Sequence, residues 1–112
     1  MKLFHRTDAA RAIAANGFRD GRGTYLTSPP TEHQGVWLSN IPLDANEGAI
    51  GDTLFMVDIP EDVIAEYEWI DGYSPYREFL VPAAIVNRHG PRALSSEEED
   101  AIPDPRFSGG VE

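Results

Sequence analysis

Hydrophobic and polar positions divide this chain into short apolar runs separated by glycine, proline and charged residues. The strongest run covers residues 76–86, and its aromatic and β-branched residues predict a strand. Alternation would place Glu78 and Phe79 on opposite faces of that strand, with the carboxylate beside apolar groups. Because proline cannot donate to a ladder, Pro82 predicts an edge strand or a bulge. Taken alone, a glutamate at such a place is more often solvated than functional.

The other runs predict further short elements. Strands are expected at residues 2–6, 35–39, 53–59 and 67–70, and residues 19–32 are expected to form a polar loop. Residues 8–16 are alanine-rich with a thin apolar stripe, which predicts a helix capped by Thr7 or Asp8 and ended by Gly17. A shorter helix is expected after Pro60. The sum is an α+β domain of five to seven strands, because the helices are too few for a parallel doubly wound sheet.

Composition limits the domain organisation and the partners. With 112 residues the chain has room for one modest core, which we assign to residues 1–92, and residues 93–112 are expected to be an acidic, flexible tail. A net charge of −10 argues against a broad basic face for nucleic acid or for an anionic membrane. No segment approaches the ~18–20 apolar residues of a membrane span. We therefore expect a cytoplasmic protein, with export as an effector left open.

Several kinds of active site are unsupported by the sequence. There is no cysteine, so neither a disulfide nor a thiolate nucleophile can form. The three histidines show no HxH or HExxH spacing, so no metal site is predicted. Neither a GxGxxG fingerprint after a strand nor a P-loop nor GxSxG is present.

The order of four features is more informative than any one of them. The first strand ends in His5-Arg6-Thr7, a helix and a Gly-Phe pair follow, then the strand Gly-Val-Trp-Leu-Ser at residues 35–39, and much later Glu-Phe-Leu-Val at residues 78–81. This order resembles the ADP-ribosyltransferase superfamily over residues 3–87. The resemblance implies split, mainly antiparallel β-sheets around an NAD-binding cleft, with one or two short helices. NAD would then be the substrate, and ADP-ribose would pass to an unknown acceptor.

The resemblance also implies roles for individual residues. Glu78 and His5 would be the catalytic residues, with Glu78 bonding the 2′-hydroxyl of the nicotinamide ribose and His5 bonding a ribose hydroxyl. Arg6 would offer its backbone to the nicotinamide amide, and Thr7 would brace that turn. Trp37 would be an aromatic shelf for the nicotinamide ring.

Two further residues complete the implied site. Ser39 would support the aromatic shelf, and Tyr25 would supply a second aromatic wall, since no tyrosine follows Trp37 at the family's usual distance. Because a net charge of −10 disfavours an anionic dinucleotide, arginines would be the local phosphate partners: Arg19, Arg22 and Arg77. Tyr76 stands two residues before Glu78, where arginine-modifying relatives carry glutamate, and this argues against an arginine acceptor.

Two alternatives remain open on the sequence. One is a non-catalytic binding or immunity-type protein whose acidic surface covers a basic partner. The other is an NAD glycohydrolase toxin domain. A geometric criterion separates the enzymes from the binding protein, because catalysis requires His5, Trp37 and Glu78 to line one cleft.

Overall fold

Antiparallel strands with short helices between them make up the protein. The structure is a computed structural model that describes residues 1–25, 31–43, 51–70 and 75–102, with the backbone alone at residues 21–25 and 31–33. Its strands are β1 Lys2–Thr7, β2 Gly21–Tyr25, β3 Thr31–Ser39, β4 Thr53–Asp58, β5 Glu68–Trp69, β6 Glu78–Val81 and β7 Arg92–Ala93. Its helices are α1 Ala10–Asn16, α2 Glu61–Ile64 with a 3₁₀ turn at Ala65–Tyr67, α3 Ala83–Arg88 and α4 Ser96–Asp100.

The strand order brings distant parts of the sequence together. The strands follow one another as β5-β6-β3-β1-β4-β7, and β2 pairs with β3 as a hairpin. Every neighbouring pair is antiparallel. The predicted α+β class and its antiparallel strands are confirmed. So is the expectation that the strands of His5, Trp37 and Glu78 are spatial neighbours, since β1, β3 and β6 lie side by side.

An apolar cluster holds helices α1, α2 and α3 to one face of the sheet. Its members are Leu3, Phe18, Val36, Leu38, Phe55, Val57, Ile59, Ile64, Phe79, Val81, Ala83 and Val86. Phe79 is 0% exposed whereas Glu78 beside it is half-buried, so the predicted alternation along β6 is confirmed. Burying one such large side chain stabilises a fold by about 1.5–3 kcal/mol.

The run predicted as one strand at residues 76–86 divides into a strand and a helix. β6 ends at Val81, and Pro82 is the first flanking residue of α3. The Pro82 carbonyl accepts hydrogen bonds from the N–H groups of Ile85 and Val86. The edge or bulge predicted from Pro82 is therefore wrong, because β6 lies inside the sheet between β5 and β3. Proline suits a helix start, where its missing N–H costs nothing.

Helix α1 begins at Ala10, two residues later than predicted, and the predicted cap by Thr7 or Asp8 is wrong, because Ala9 is the N-cap and no side chain caps the helix. The Thr7 hydroxyl accepts a hydrogen bond from the Ala9 N–H at 2.9 Å, so Thr7 braces the turn into the helix. Gly17 ends it as predicted, with φ +79° and its N–H donated to the Ile13 carbonyl. A left-handed φ of this kind favours glycine.

Part of the segment predicted as a flexible tail is folded onto the domain. A capping box of Ser95 and Glu98 starts α4, and the two hydrogen bonds that define it are both present. Arg6 of β1 donates to Glu99 of α4, with Nη2 2.6 Å from Oε2. Residues 93–102 of the predicted tail therefore contain the end of β7 and helix α4, and residues 103–112 lie outside the described residues.

Candidate functional site

His5 is fixed by a hydrogen bond to the strand that carries Trp37. Its Nδ1 lies 2.7 Å from the main-chain oxygen of Trp37, and its ring meets the Phe18 ring edge-on at 5.2 Å. Because a carbonyl oxygen can only accept, Nδ1 carries the proton. In the neutral ring Nε2 is then an acceptor, the atom that could receive a hydrogen bond from a hydroxyl.

Burial controls the charge of His5. Removal of the ring from water lowers its pKa below the ordinary value, and the hydrogen bond to the Trp37 carbonyl opposes that shift without cancelling it. The imidazole is therefore neutral at pH 7. A neutral His5 can orient a hydroxyl through Nε2, but it adds no positive charge to an anionic ligand.

The His5 ring lies where β1 separates from β3. The two strands pair through Phe4 and Ser39. The His5 side chain is hydrogen-bonded to the carbonyl of Trp37, which lies two residues before Ser39. The side chain thus links the two strands beyond the register pair of their ladder.

A cleft of about 380 Å³ adjoins His5. It is lined by His5, Ala9, Ala12, Ile13, Gly17, Phe18, Arg19, Gly35, Val36 and Trp37. Its walls are mainly apolar, and the exposed Arg19 supplies a positive charge at the lining. Glu78 does not line this cleft.

Glu78 belongs to a second surface, which we call the tryptophan face and define as Trp37, Ser39, Trp69 and Glu78. Glu78 is register-paired with Ser39 on one side and with Trp69 on the other. Directly paired residues share a face of the sheet, and Trp37 lies two positions from Ser39, so all four share one face. The indole rings of Trp37 and Trp69 meet nearly perpendicularly, with centroids 5.5 Å apart and an angle of 80°.

Ser39 lies at the end of β3 and belongs to this face. It is buried, and its hydroxyl donates to the Ile41 carbonyl, which fixes the chain as it leaves β3.

His5 and Glu78 lie on opposite sides of the sheet. Phe4 is paired with Ser39 and so shares its face, and His5, the next residue of β1, points to the other face. Trp37 links the two, because its carbonyl holds His5 while its side chain lies on the face of Glu78. The structure therefore brings Trp37 beside each of them but does not place all three side chains around one cleft, so the geometric criterion for catalysis by all three is not met.

The Arg6 side chain is engaged in hydrogen bonds within the protein. Its Nε donates to the Leu43 carbonyl at 2.7 Å, and its guanidinium pairs with Glu99. Its backbone lies in the β1–β4 ladder opposite Leu54. The role predicted for Arg6, contact through its backbone, does not use this side chain and stays a prediction.

The three arginines predicted to meet phosphate differ in their surroundings. Arg77 makes two hydrogen bonds to Glu68 and approaches Glu61, and its donated hydrogen bonds lower the pKa of Glu68. Arg19 lies at the cleft with no carboxylate in ion-pair range among the described side chains. The side chains of Arg22 and Tyr25 lie outside the described part of the structure.

Trp69 is a site candidate that sequence reasoning missed. Residues 67–70 were predicted to be a strand from their alternation, and the structure confirms strand at Glu68–Trp69. The pairing of that strand with β6 puts Trp69 opposite Glu78. The sequence shows that Trp69 lies in a predicted strand, but it does not show which residue lies opposite Trp69.

Comparisons with known proteins add no further assignment. Neither the family models, nor the curated proteins, nor the solved structures include a match to this chain. Among the described residues, no group of three or more acidic or histidine side chains could hold a metal ion. None of the helices in the described ranges combines the length and apolar character needed to cross a membrane.

Proposed function

We propose that this protein is an NAD-dependent ADP-ribosyltransferase that breaks the nicotinamide–ribose bond and transfers ADP-ribose to an acceptor. One observation carries the proposal: Trp37, Ser39 and Glu78 share a face of adjacent strands, with His5 bonded to the main chain of Trp37. An aromatic shelf next to a carboxylate is the arrangement that this chemistry requires. The order of these residues in the sequence supports the same activity.

Glu78 supplies the charge that the transition state needs. Loss of nicotinamide leaves a ribose ring with oxocarbenium character, and a carboxylate near the 2′-hydroxyl interacts more strongly as that positive charge develops. Glu78 is half-buried between Trp69 and Ser39, which limits the water that could screen it.

Trp37 would hold the leaving group on the tryptophan face. An offset stack of the nicotinamide ring on an indole contributes about 0.5–1.5 kcal/mol beyond the buried area. In the cleft on the other side of the sheet, the Nε2 of His5 can accept from a hydroxyl and Arg19 can meet a phosphate. The bond-breaking step therefore rests on Trp37 and Glu78, and His5 does not share their surface.

The test is incubation of the purified protein with NAD, followed by measurement of free nicotinamide. The proposal expects release that exceeds the rate without protein, and transfer of ADP-ribose to an added acceptor increases it. Release that needs no acceptor and yields free ADP-ribose would indicate an NAD glycohydrolase on the same site. No release with protein, nucleic-acid or small-molecule acceptors would contradict the proposal.

A second candidate is a binding protein without chemistry, and one observation favours it. The side chains of His5 and Glu78 point to opposite sides of the sheet, so a ligand confined to either side meets only one of them. NAD or nicotinamide binding without turnover would identify this function, and the acidic surface would then face a basic partner.

A further inference from the structure

We infer that the guanidinium of Arg6 is a phosphate-binding site, which Glu99 of α4 occupies as an internal carboxylate and from which the phosphate group of a soluble ligand displaces it. Helix α4 is then a cover over this site. The inference does not depend on the proposed function, because an enzyme and a binding protein can both use an anion site.

The Arg6 side chain presents a fork of fixed orientation. Its Nε donates to the Leu43 carbonyl at 2.7 Å, which sets the plane of the guanidinium. Its Nη2 lies 2.6 Å from Oε2 of Glu99 and its Nη1 lies 3.4 Å from Oε1. Two nitrogens facing two oxygens form the bidentate arrangement in which arginine recognises both carboxylate and phosphate. Exchange of the anion therefore leaves the bond to Leu43 in place.

The two partners differ in how firmly they are held. The Arg6 side chain is 12% exposed, and a buried cation that loses its anion is strongly destabilising, so Arg6 requires a counter-anion at all times. Glu99 is 31% exposed and belongs to a helix of five residues, none of which is buried. A helix so short is not stable by itself in water. Local opening of α4 is therefore much easier than unfolding of the sheet that carries Arg6.

A second arginine lies on the same face of the sheet under α4. Arg92 is paired with Met56 and Met56 with Phe4, while Arg6 lies two positions after Phe4. Directly paired residues share a face, so the two arginines share this one. Arg92 donates to Glu98 with Nη1 2.9 Å from Oε2. The acidic helix thus covers two cations, and its release leaves both of them facing an incoming anion.

Phosphate is favoured over a free carboxylate as the displacing group. The carboxylate of Glu99 is tethered, which gives it a high effective concentration at Arg6. A free carboxylate has the same charge and the same two oxygens, so it has no advantage over Glu99. A phosphate monoester carries about −1.5 to −2 charge near neutral pH and has three acceptor oxygens. It therefore binds the same fork more strongly, and the released Arg92 adds a second positive charge.

Hydrogen exchange in the unmodified chain tests the displacement. Inorganic phosphate is added at constant ionic strength, and sodium acetate at the same ionic strength is the control. Exchange at the helix amides of Glu99 and Ala101 should accelerate several-fold in phosphate, whereas the Leu94 amide, which donates to the Leu54 carbonyl outside the helix, should not change. Acetate should leave all three amides unchanged.

Variants measure the affinity of the site directly. In Glu99→Ala the internal competitor is gone, so inorganic phosphate should bind at least about tenfold more tightly than to wild type. The measurement is the increase in stability against urea with phosphate concentration, again at constant ionic strength. Glu97→Ala is the matched control, because Glu97 is exposed on the same helix, and it should behave as wild type. Glu99→Gln should give an intermediate affinity and serves if Glu99→Ala does not fold.

A double variant, Arg6→Met with Glu99→Ala, assigns the binding to Arg6 and should lose it. The inference is overturned if phosphate stabilises Glu99→Ala and Glu97→Ala equally, or if binding survives in the double variant. Acceleration of exchange by acetate as large as that by phosphate overturns the assignment to phosphate. The proposed function is judged separately by nicotinamide release: phosphate binding at Arg6 without NAD turnover supports this inference and contradicts the enzyme, and turnover without phosphate binding does the reverse.

Discussion

His5 shows at the residue scale how one hydrogen bond fixes both the tautomer and the position of a site residue. The Trp37 carbonyl requires the proton on Nδ1, and burial keeps the ring neutral. The two effects together leave Nε2 as an acceptor at the cleft. The same burial makes the stability of the fold sensitive to pH.

The first prediction concerns that pH dependence. The unfolded His5 titrates near its ordinary pKa of about 6.5, whereas the folded pKa is lower. Below pH 6.5 the unfolded state therefore binds more protons than the folded state. The stability that His5 contributes falls as the pH falls, until the pH is below the folded pKa. His5→Asn cannot titrate. Wild type should lose stability relative to this variant between pH 7.5 and 5, measured by urea unfolding at each pH.

The prediction would be contradicted if the free energy of unfolding of wild type, relative to that of His5→Asn, stayed constant or increased as the pH falls. The comparison with His5→Asn is needed because nineteen acidic residues also titrate toward the lower end of this range. Their contribution is common to both proteins and cancels in the difference.

The sequence predicts part of the residue-level arrangement, and its limit has a physical cause. Alternation along β6 correctly separates Glu78 from Phe79, because a period of two needs only local sequence. The relative side of His5 and Glu78 depends on the register in which β1 pairs with β3 and β3 pairs with β6. That register is set by contacts between strands more than thirty residues apart in the chain, which no local pattern reports.

At the scale of elements, the boundaries of strands and helices depend on turns that the pattern of apolar residues does not show. β6 and α3 form one continuous apolar run, and only Pro82 divides them. Conversely, much of the segment predicted as a polar loop at residues 19–32 is strand, since β2 and the start of β3 pair as a hairpin. Backbone pairing specifies that hairpin where the sequence alternation is weak.

The second prediction uses a matched pair of glycines. An added Cβ at Gly51 would lie 2.1 Å from the carbonyl carbon of Thr7, and φ there is +145°. Gly90 also has a positive φ, +69°, but nothing lies within 4 Å of an added Cβ. Gly51→Ala should therefore cost about 3 kcal/mol and Gly90→Ala about 1 kcal/mol, since only the first adds a clash to the backbone strain.

Chemical denaturation of both variants measures these costs. Equal losses would show that the chain at Gly51 relaxes away from Thr7 and that the close approach is not required. Because Thr7 adjoins the site strand β1, the larger loss should be accompanied by weaker ligand binding in Gly51→Ala alone.

The third prediction concerns the docking of α4. Glu99→Gln removes the charge that pairs with the mostly buried Arg6, and it should cost about 1–2 kcal/mol because the hydrogen bonds to a charged partner are weakened. Glu97→Gln is the control, as Glu97 is exposed on the same helix. Hydrogen exchange at the amides of Glu99 and Ala101 should accelerate in Glu99→Gln but not in the control. Equal exchange in the two variants would show that α4 does not depend on Arg6.

At the scale of the whole molecule, three of the described arginines are held in ion pairs. The net charge is −10, and several of the basic side chains are bonded to carboxylates: Arg6 to Glu99, Arg77 to Glu68 and Arg92 to Glu98. Arg19, at the cleft, lacks such a pair among the described side chains. An anionic dinucleotide would thus meet a local positive charge on an otherwise repulsive protein, and its affinity should fall with added salt.

The central claim is that the negative charge of Glu78 drives the loss of nicotinamide, and Glu78→Gln tests it most directly. Glutamine keeps the shape and can still bond a hydroxyl, so KM for NAD should stay within about threefold, whereas kcat should fall ~10²-fold or more because the charge acts mainly in the transition state. Steady-state nicotinamide release from the two proteins, with circular dichroism to confirm folding, makes the comparison. An active wild type matched by its Gln variant would contradict the claim and leave Glu78 as a structural residue of β6.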